Sequence, residues 1–186
     1  MEFVCGERAV RMARRDYGAL SDAAALFSAQ LWDVPEQIRK SIEESKLLRK
    51  QKDDALDQLA ELMALAALHN QPETNGRKIV VRAFSDRDIN FAKLFAQKVT
   101  RAAAPAIALV ASTVDPPGMV FAQTPTQTPG AATGATADMG ALLKQVLSSV
   151  GGRGGGSRDF AQGGVPAGST INVEQLLREA AGTIEG

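Results

Sequence analysis

The sequence predicts an α/β protein: a long helical N-terminal arm followed by a small α/β domain with a short sheet flanked by helices. Three observations carry this. From Pro35 to about His69 nothing breaks a helix, and apolar residues recur near a 3.5-residue spacing. Between Lys78 and Gln123, short apolar runs and one amphipathic segment follow in the order strand, helix, strand, strand. Residues 150–164 hold seven glycines, with Arg153, Arg158, Asp159 and Gln162 fixed among them. A flexible Gly/Ser linker would lack those polar residues.

The chain has 186 residues, 45% of them hydrophobic and only 5% aromatic. That suffices for one domain and an appendage, and abundant alanine favours closely packed helices. Lys and Arg number 21, Asp and Glu 21, so the formal net charge is zero. No global field attracts nucleic acid, and any basic surface must come from local clustering. Cys5 is the only cysteine, which excludes an internal disulfide and fits a reducing compartment. No signal-peptide pattern stands at the N-terminus. No apolar run approaches the ~18 residues of a membrane span. The expectation is a cytoplasmic protein with no membrane partner.

Taken in order, residues 3–5 read as a short strand and residues 7–17 as a helix stopped by Gly18. Ser21 is the N-cap of a second helix, 22–31. Asp33, Pro35 and Glu36 supply a cap, a first-turn proline and a capping box for the long helix. Its seam is Ile38, Ile42, Leu56, Leu59, Met63 and Ala66, interrupted by Ser45, Arg49 and Lys52. Packed ends, a wet centre and self-association follow from that pattern. Residues 71–77 form a polar loop with an Asn75-Gly76 turn. A strand at 78–84 precedes a helix from Asp86 to about Ala102, capped by Ser85 with Asp88. Its buried face is Ile89, Ala92, Phe95, Ala96 and Val99. Strands at 106–112 and 119–123 come next. Residues 124–137 read as a disordered insertion, since they lack large apolar side chains. A helix at 139–150 leads into the glycine run, and Asn172 with Gln175 caps a last helix, 173–181. The organisation is therefore 1–33, 34–70 and 77–186.

Catalytic candidates are missing. A zinc site needs at least three N, S or O protein ligands, and the chain has one histidine and one cysteine. His69 reads as a helix C-terminal residue and Cys5 as a small buried one. No phosphate-binding P-loop or dinucleotide fingerprint is present. The expectation is no catalytic residue, no metal and no cofactor. The glycine run is the binding candidate: Arg153, Gly154, Gly155, Gly156, Ser157, Arg158, Gln162, Gly163 and Gly164. Glycine admits close backbone approach, successive exposed N–H groups form an anion-binding concavity, and guanidinium groups favour phosphate. On that reading Asp159 and Gln162 hold the loop's own N–H groups. The alternative is a glycine loop that closes a small sheet. Two basic clusters, Arg8, Arg11, Arg14 and Arg15, and Lys78, Arg82, Arg87, Lys93, Lys98 and Arg101, fit either solvated faces or phosphate contact. Phe121 and Phe160 are the only aromatics near the glycines, which favours shape-and-backbone recognition of a folded RNA over base stacking.

The stretch GGRGGGSRDFAQGG at 151–164 resembles the glycine-rich signature of the DHH-associated C-terminal domain of alanyl-tRNA synthetases and free-standing alanyl-tRNA editing proteins. Val120-Phe121-Ala122-Gln123 and the later Asp138-Met139-Gly140-Ala141-Leu142-Leu143-Lys144 are similar to the strand and helix before that signature. Residues 2–9, Glu2-Phe3-Val4-Cys5-Gly6-Glu7-Arg8-Ala9, are similar to the strand-to-helix junction that closes the editing domain. The resemblance implies that the chain starts inside that last element, as a shortened gene product. Editing proteins hydrolyse mischarged alanyl-tRNA at zinc held by HxxxH and CxxxH pairs, and neither pair stands here. The Asp-His-His motif of DHH phosphodiesterases is missing too. What the resemblance implies is a non-catalytic tRNA-binding and self-association module. Its partners would be a tRNA, that of alanine, and a second copy through the long helix. Two alternatives remain: a fragment or subunit of a synthetase or editing hydrolase whose partner carries the zinc, and a purely structural helix-mediated dimer.

Overall fold

The computed structural model describes residues 6–103, 105–125, 137–168 and 172–185. They fall into two units, Met1–Asp54 and Ala55–Gly186. The strand expected at 3–5, with Cys5, lies outside the described residues.

In the first unit, helix α1 (Glu7–Leu26) runs through Gly18 without a break. A single glycine costs a helix only about 1 kcal/mol against alanine, and no proline follows it to stop the turn. The helix expected at 22–31 is therefore partly the end of α1. Ser21 is no cap, and the chain leaves the helix at Phe27, with Ser28 at φ 49°. A 3-10 turn, Leu31–Asp33, leads into α2 (Val34–Asn70), 37 residues long. Pro35 occupies its first turn, as the sequence predicts. Glu36 accepts a hydrogen bond from Arg39 at 2.9 Å.

The second unit is built on a six-stranded sheet of β1 (Glu73–Thr74), β2 (Arg77–Phe84), β3 (Ala106–Ser112), β4 (Gly118–Gln123), β5 (Arg153–Gly156) and β6 (Phe160–Gly164). Their spatial order is β1-β2-β3-β4-β6-β5. Only β2 and β3 are parallel, and α3 (Ile89–Ala102) makes the crossover that a parallel pair requires. All seven residues of β3 are buried, which is why it reads as an unbroken run of small and apolar residues. One face of the sheet packs Val80, Phe84 and Val120 against Phe91, Phe95 and Val99 of α3 and against Ala60, Ala64 and Leu68 of α2. The other packs Ile79, Leu109, Met119 and Phe121 against α4 (Met139–Ser148) and α5 (Val173–Glu185).

Several expectations change here. Helix α3 starts at Ile89 because Asp88 alone caps it, its Oδ1 accepting the Phe91 N–H at 2.9 Å. Ser85 lies outside the helix. Thr124 is no part of a disordered insertion. Its buried Oγ1 accepts the Ala106 N–H at 3.0 Å and lies 3.1 and 3.2 Å from the carbonyls of Ala103 and Thr100. Ala137 packs against the core, and residues 126–136 lie outside the described residues. Asn172 Oδ1 accepts the Gln175 N–H at 3.1 Å, which is the cap the sequence predicts.

The largest correction concerns the seam of α2. Leu56, Leu59 and Met63, with the buried Ala60, Ala64 and Leu68, pack against the chain's own core, while Ala66 is exposed. Two lysines fasten this end of the helix. Lys98 of α3 donates to Asp57 at 2.7 Å and lies 3.3 Å from Glu61. The Asp57 hydrogen bond holds the Lys98 pKa above its usual value. Lys78 donates to the Leu68 carbonyl at 2.8 Å, satisfying an end-of-helix acceptor. Leu59 and Met63, half-buried against the chain's own core, are thus partly used within the chain rather than left whole for a second copy. Alanines at 60 and 64 let the helix lie close enough to bury the seam within the chain. Ile38 and Ile42, the other seam residues, are exposed.

Candidate nucleic-acid interface

The glycine run is a β-hairpin and not a loop. Strand β5 pairs antiparallel with β6, Arg153 opposite Gly164 and Gly156 opposite Ala161. Ser157 N–H donates to the Phe160 carbonyl at 2.8 Å and closes a turn with Arg158 and Asp159 at its tip. The Ser157 hydroxyl lies 3.3 Å from Phe160 N–H and serves the same turn. Backbone pairing across the hairpin uses N–H groups that the sequence reading left free for an anion.

Packing explains most of the glycines. A Cβ on Gly154 would stand 2.6 Å from Leu147 Cδ1 and 2.8 Å from Gly163 Cα. A Cβ on Gly163 would run into Leu147, and one on Gly156 into Ala161 and the Phe160 carbonyl. On Gly140 it would stand 3.0 Å from the Gly156 carbonyl, so a glycine in α4 lets that helix lie on the hairpin. Gly155 differs. The only atom near its Cβ position is Lys144 Cε at 3.7 Å, and its φ lies outside the positive region. Nothing inside the described residues requires a glycine there. Sensitivity to an added side chain belongs to Gly154, Gly156 and Gly163.

Cross-strand partners share a face of a sheet. Gly155 therefore sits beside Gln162, and Arg153 beside Gly164, on the side where Phe160 packs toward α3. Gly154 and Gly163 turn to the opposite side, beneath Leu147 of α4. Lys93 of α3 stands 5.6 Å from the Phe160 ring centroid. This face thus presents Arg153, Gln162, Lys93 and the half-buried Phe160 around a glycine floor. Arg158 is at the hairpin tip. At ~3.3 Å per residue, it and Arg153 lie roughly 15 Å apart along the strand, too far to flank one anion.

The carboxylates nearby are committed. Asp159 Oδ1 accepts from Gln123 Nε2 at 3.0 Å. Gln123 also donates to the carbonyls of Ala137 and Arg158, at 2.9 and 3.1 Å. Asp138 caps α4, accepting from Ala141 N–H at 2.9 Å. Arg153 is exposed at the hairpin edge. Sequence reading missed Lys144 and the structural Gln123. Gly140, a glycine on an amphipathic helix next to a glycine run, was the signal that could have placed Lys144 beside the hairpin.

The other candidates scatter. Arg11 pairs with Glu7 at 3.7 Å and Arg15 with Asp16 at 3.3 Å, as on a solvated helix face. Arg87 stacks over Phe91 at 5.4 Å. His69 is exposed in the last turn of α2. Among the described residues no group of three His, Cys, Asp or Glu side chains could hold a metal ion, and no helix is long and apolar enough to cross a membrane.

Fold and site together define a small α/β domain with a basic hairpin at one sheet edge. No protein-family profile matches the chain. Over 148 residues it is 28% identical to an alanine–tRNA ligase of Fusobacterium nucleatum, covering 79% of this chain and 16% of that protein. The chain thus spans about a sixth of that relative's length. Among solved structures it is similar to the C-Ala domain of Aquifex aeolicus alanyl-tRNA synthetase, with TM-score 0.46 and 17% identity, over 60% of this chain and 96% of that one.

Proposed function

We propose that this chain is a non-catalytic tRNA-binding module whose contact surface is the β5–β6 hairpin. The sequence similarity to an alanine–tRNA ligase supports the class of ligand, and a tRNA for alanine is the first candidate. One observation carries the site. Gly155 is a glycine that packing does not explain, set between Arg153 and Gln162 on an open face. A bare backbone beside a guanidinium suits a phosphate-sugar strand that must come close. Arg153 and Arg158 contact different phosphates, being too far apart for one. Lys93 and Lys144 add charge on either side. Ser157, Gly154, Gly156, Gly163 and Gly164 set the shape of the hairpin and touch no ligand themselves.

An electrophoretic titration with alanine tRNA at two salt concentrations tests this. Arg153→Ala weakens binding and flattens the salt dependence by about one unit, the value of one lost phosphate contact. If Arg153→Ala and Arg158→Ala together change neither affinity nor salt slope, the hairpin only closes the sheet and the reading fails.

A further inference from the structure

The opposite edge of the sheet carries unused backbone groups. Strand β2 has eight residues, but β1 pairs only with its first two, Glu73 facing Lys78 and Thr74 facing Arg77. Beyond them no strand of the described residues lies outside β2. Two bonds fix which way its groups point. Lys78 N–H donates to the Pro105 carbonyl at 3.2 Å, and the Phe84 carbonyl accepts from Thr113 N–H at 2.8 Å. Both partners flank β3. Backbone groups alternate along a strand, so Lys78, Val80, Arg82 and Phe84 turn theirs toward β3. Ile79, Val81 and Ala83 turn theirs outward, in a row roughly 13 Å long.

This row opens into a cleft of about 240 Å³ beside α5, lined by Val81, Arg82, Ala83, Glu174, Leu177 and Arg178. Val81, Ala83 and Leu177 give it an apolar wall. Arg82 turns to the other face of the strand, with Phe84. Arg82 is exposed, stands over the Phe84 ring at 5.6 Å, and has no carboxylate of the described residues in salt-bridge range. The one acid of the cleft, Glu174, is engaged with Arg178 at 3.5 Å.

We propose that the outer edge of β2 docks an extended acidic segment of a partner protein, which joins the sheet as a further strand. Main-chain bonds to Ile79, Val81 and Ala83 hold such a segment, and its alternate side chains meet the apolar wall on one face and Arg82 on the other. A second copy of this chain fits less well, because antiparallel pairing of β2 with itself puts the Arg82 side chains of both copies on one face, near each other. The site uses none of the residues proposed for RNA.

The probe is a short fluorescein-labelled peptide of alternating glutamate and valine, with a lysine–valine peptide as control, read by anisotropy on the full chain. The acidic peptide binds and the basic one does not. Val81→Pro removes an outward N–H that has no internal partner, a substitution an edge strand tolerates, and weakens peptide binding about tenfold or more. Arg82→Glu does the same, and neither variant alters tRNA affinity. Amide exchange at Val81 and Ala83 slows when the peptide binds. That measurement on the wild type, with Arg82→Glu, decides the matter if Val81→Pro does not fold. Unchanged exchange at both amides, or equal binding of the two peptides, overturns the proposal. So does a chain that dimerises alone with those amides already protected.

Discussion

Gly155 and Gly156 are neighbours with opposite tolerance. A side chain at 156 meets the backbone of Ala161 and Phe160, while one at 155 meets only the end of a lysine. Gly156→Ala should cost at least the 1–3 kcal/mol typical of overpacking, read as a lower urea midpoint. Gly155→Ala should stay within about 0.5 kcal/mol of wild type yet weaken tRNA binding, which separates folding from contact. Thr124 makes the matching case for a polar residue. Thr124→Val strands the Ala106 N–H and should cost about 1–3 kcal/mol. From sequence, Thr124 stood at the start of a low-complexity run and looked expendable. Burial of one hydroxyl among three carbonyls is a tertiary fact, invisible to composition.

At the scale of elements, α2 and α1 show what periodicity reveals and what it hides. The length of α2 was legible because proline enters only its first turn and no glycine interrupts it. Its partner was not, since an apolar seam is the same whether a second chain or the chain's own sheet covers it. Leu59→Lys with Met63→Lys should therefore lower thermal stability, by about 1–3 kcal/mol per site, and leave the mass by light scattering unchanged. Lys98 adds a pH test. Its folded pKa is raised, chiefly by the Asp57 hydrogen bond. The pair therefore stabilises the fold fully below the ordinary lysine value of 10.5, and that contribution is lost as pH rises through the higher folded value. The stability gap between wild type and Lys98→Met should close in alkaline urea titrations and persist at neutral pH. For α1, Gly18→Ala meets nothing within 4 Å and should raise helix stability by about 1 kcal/mol, read by circular dichroism.

For the whole molecule, the two sheet edges are chemically distinct. One ends in a glycine hairpin with arginines, the other in an apolar strand whose outward groups meet no strand beyond β1 among the described residues. The core clusters on both faces of the sheet lie entirely within the second unit. A chain beginning at Ala55 should therefore unfold cooperatively and keep its tRNA affinity and salt slope. Loss of binding in that fragment, with its fold intact by circular dichroism, would assign RNA contact to the first unit.

The sequence alone determined the α/β class, the strand–helix–strand–strand order, the long helix and the Asn172 cap. Each rests on local chemistry: period, propensity, and side chains that bond within three residues. Only the tertiary structure decided that the glycine run is a hairpin, that Gly154 and Gly163 make room for Leu147, and that Leu56, Leu59 and Met63 of α2 pack against the chain's own core. It also brought Lys93 to Phe160 and Lys144 to Gly155. Those outcomes depend on which surfaces meet across tens of residues, and a one-dimensional pattern records what a face can bury but not what buries it.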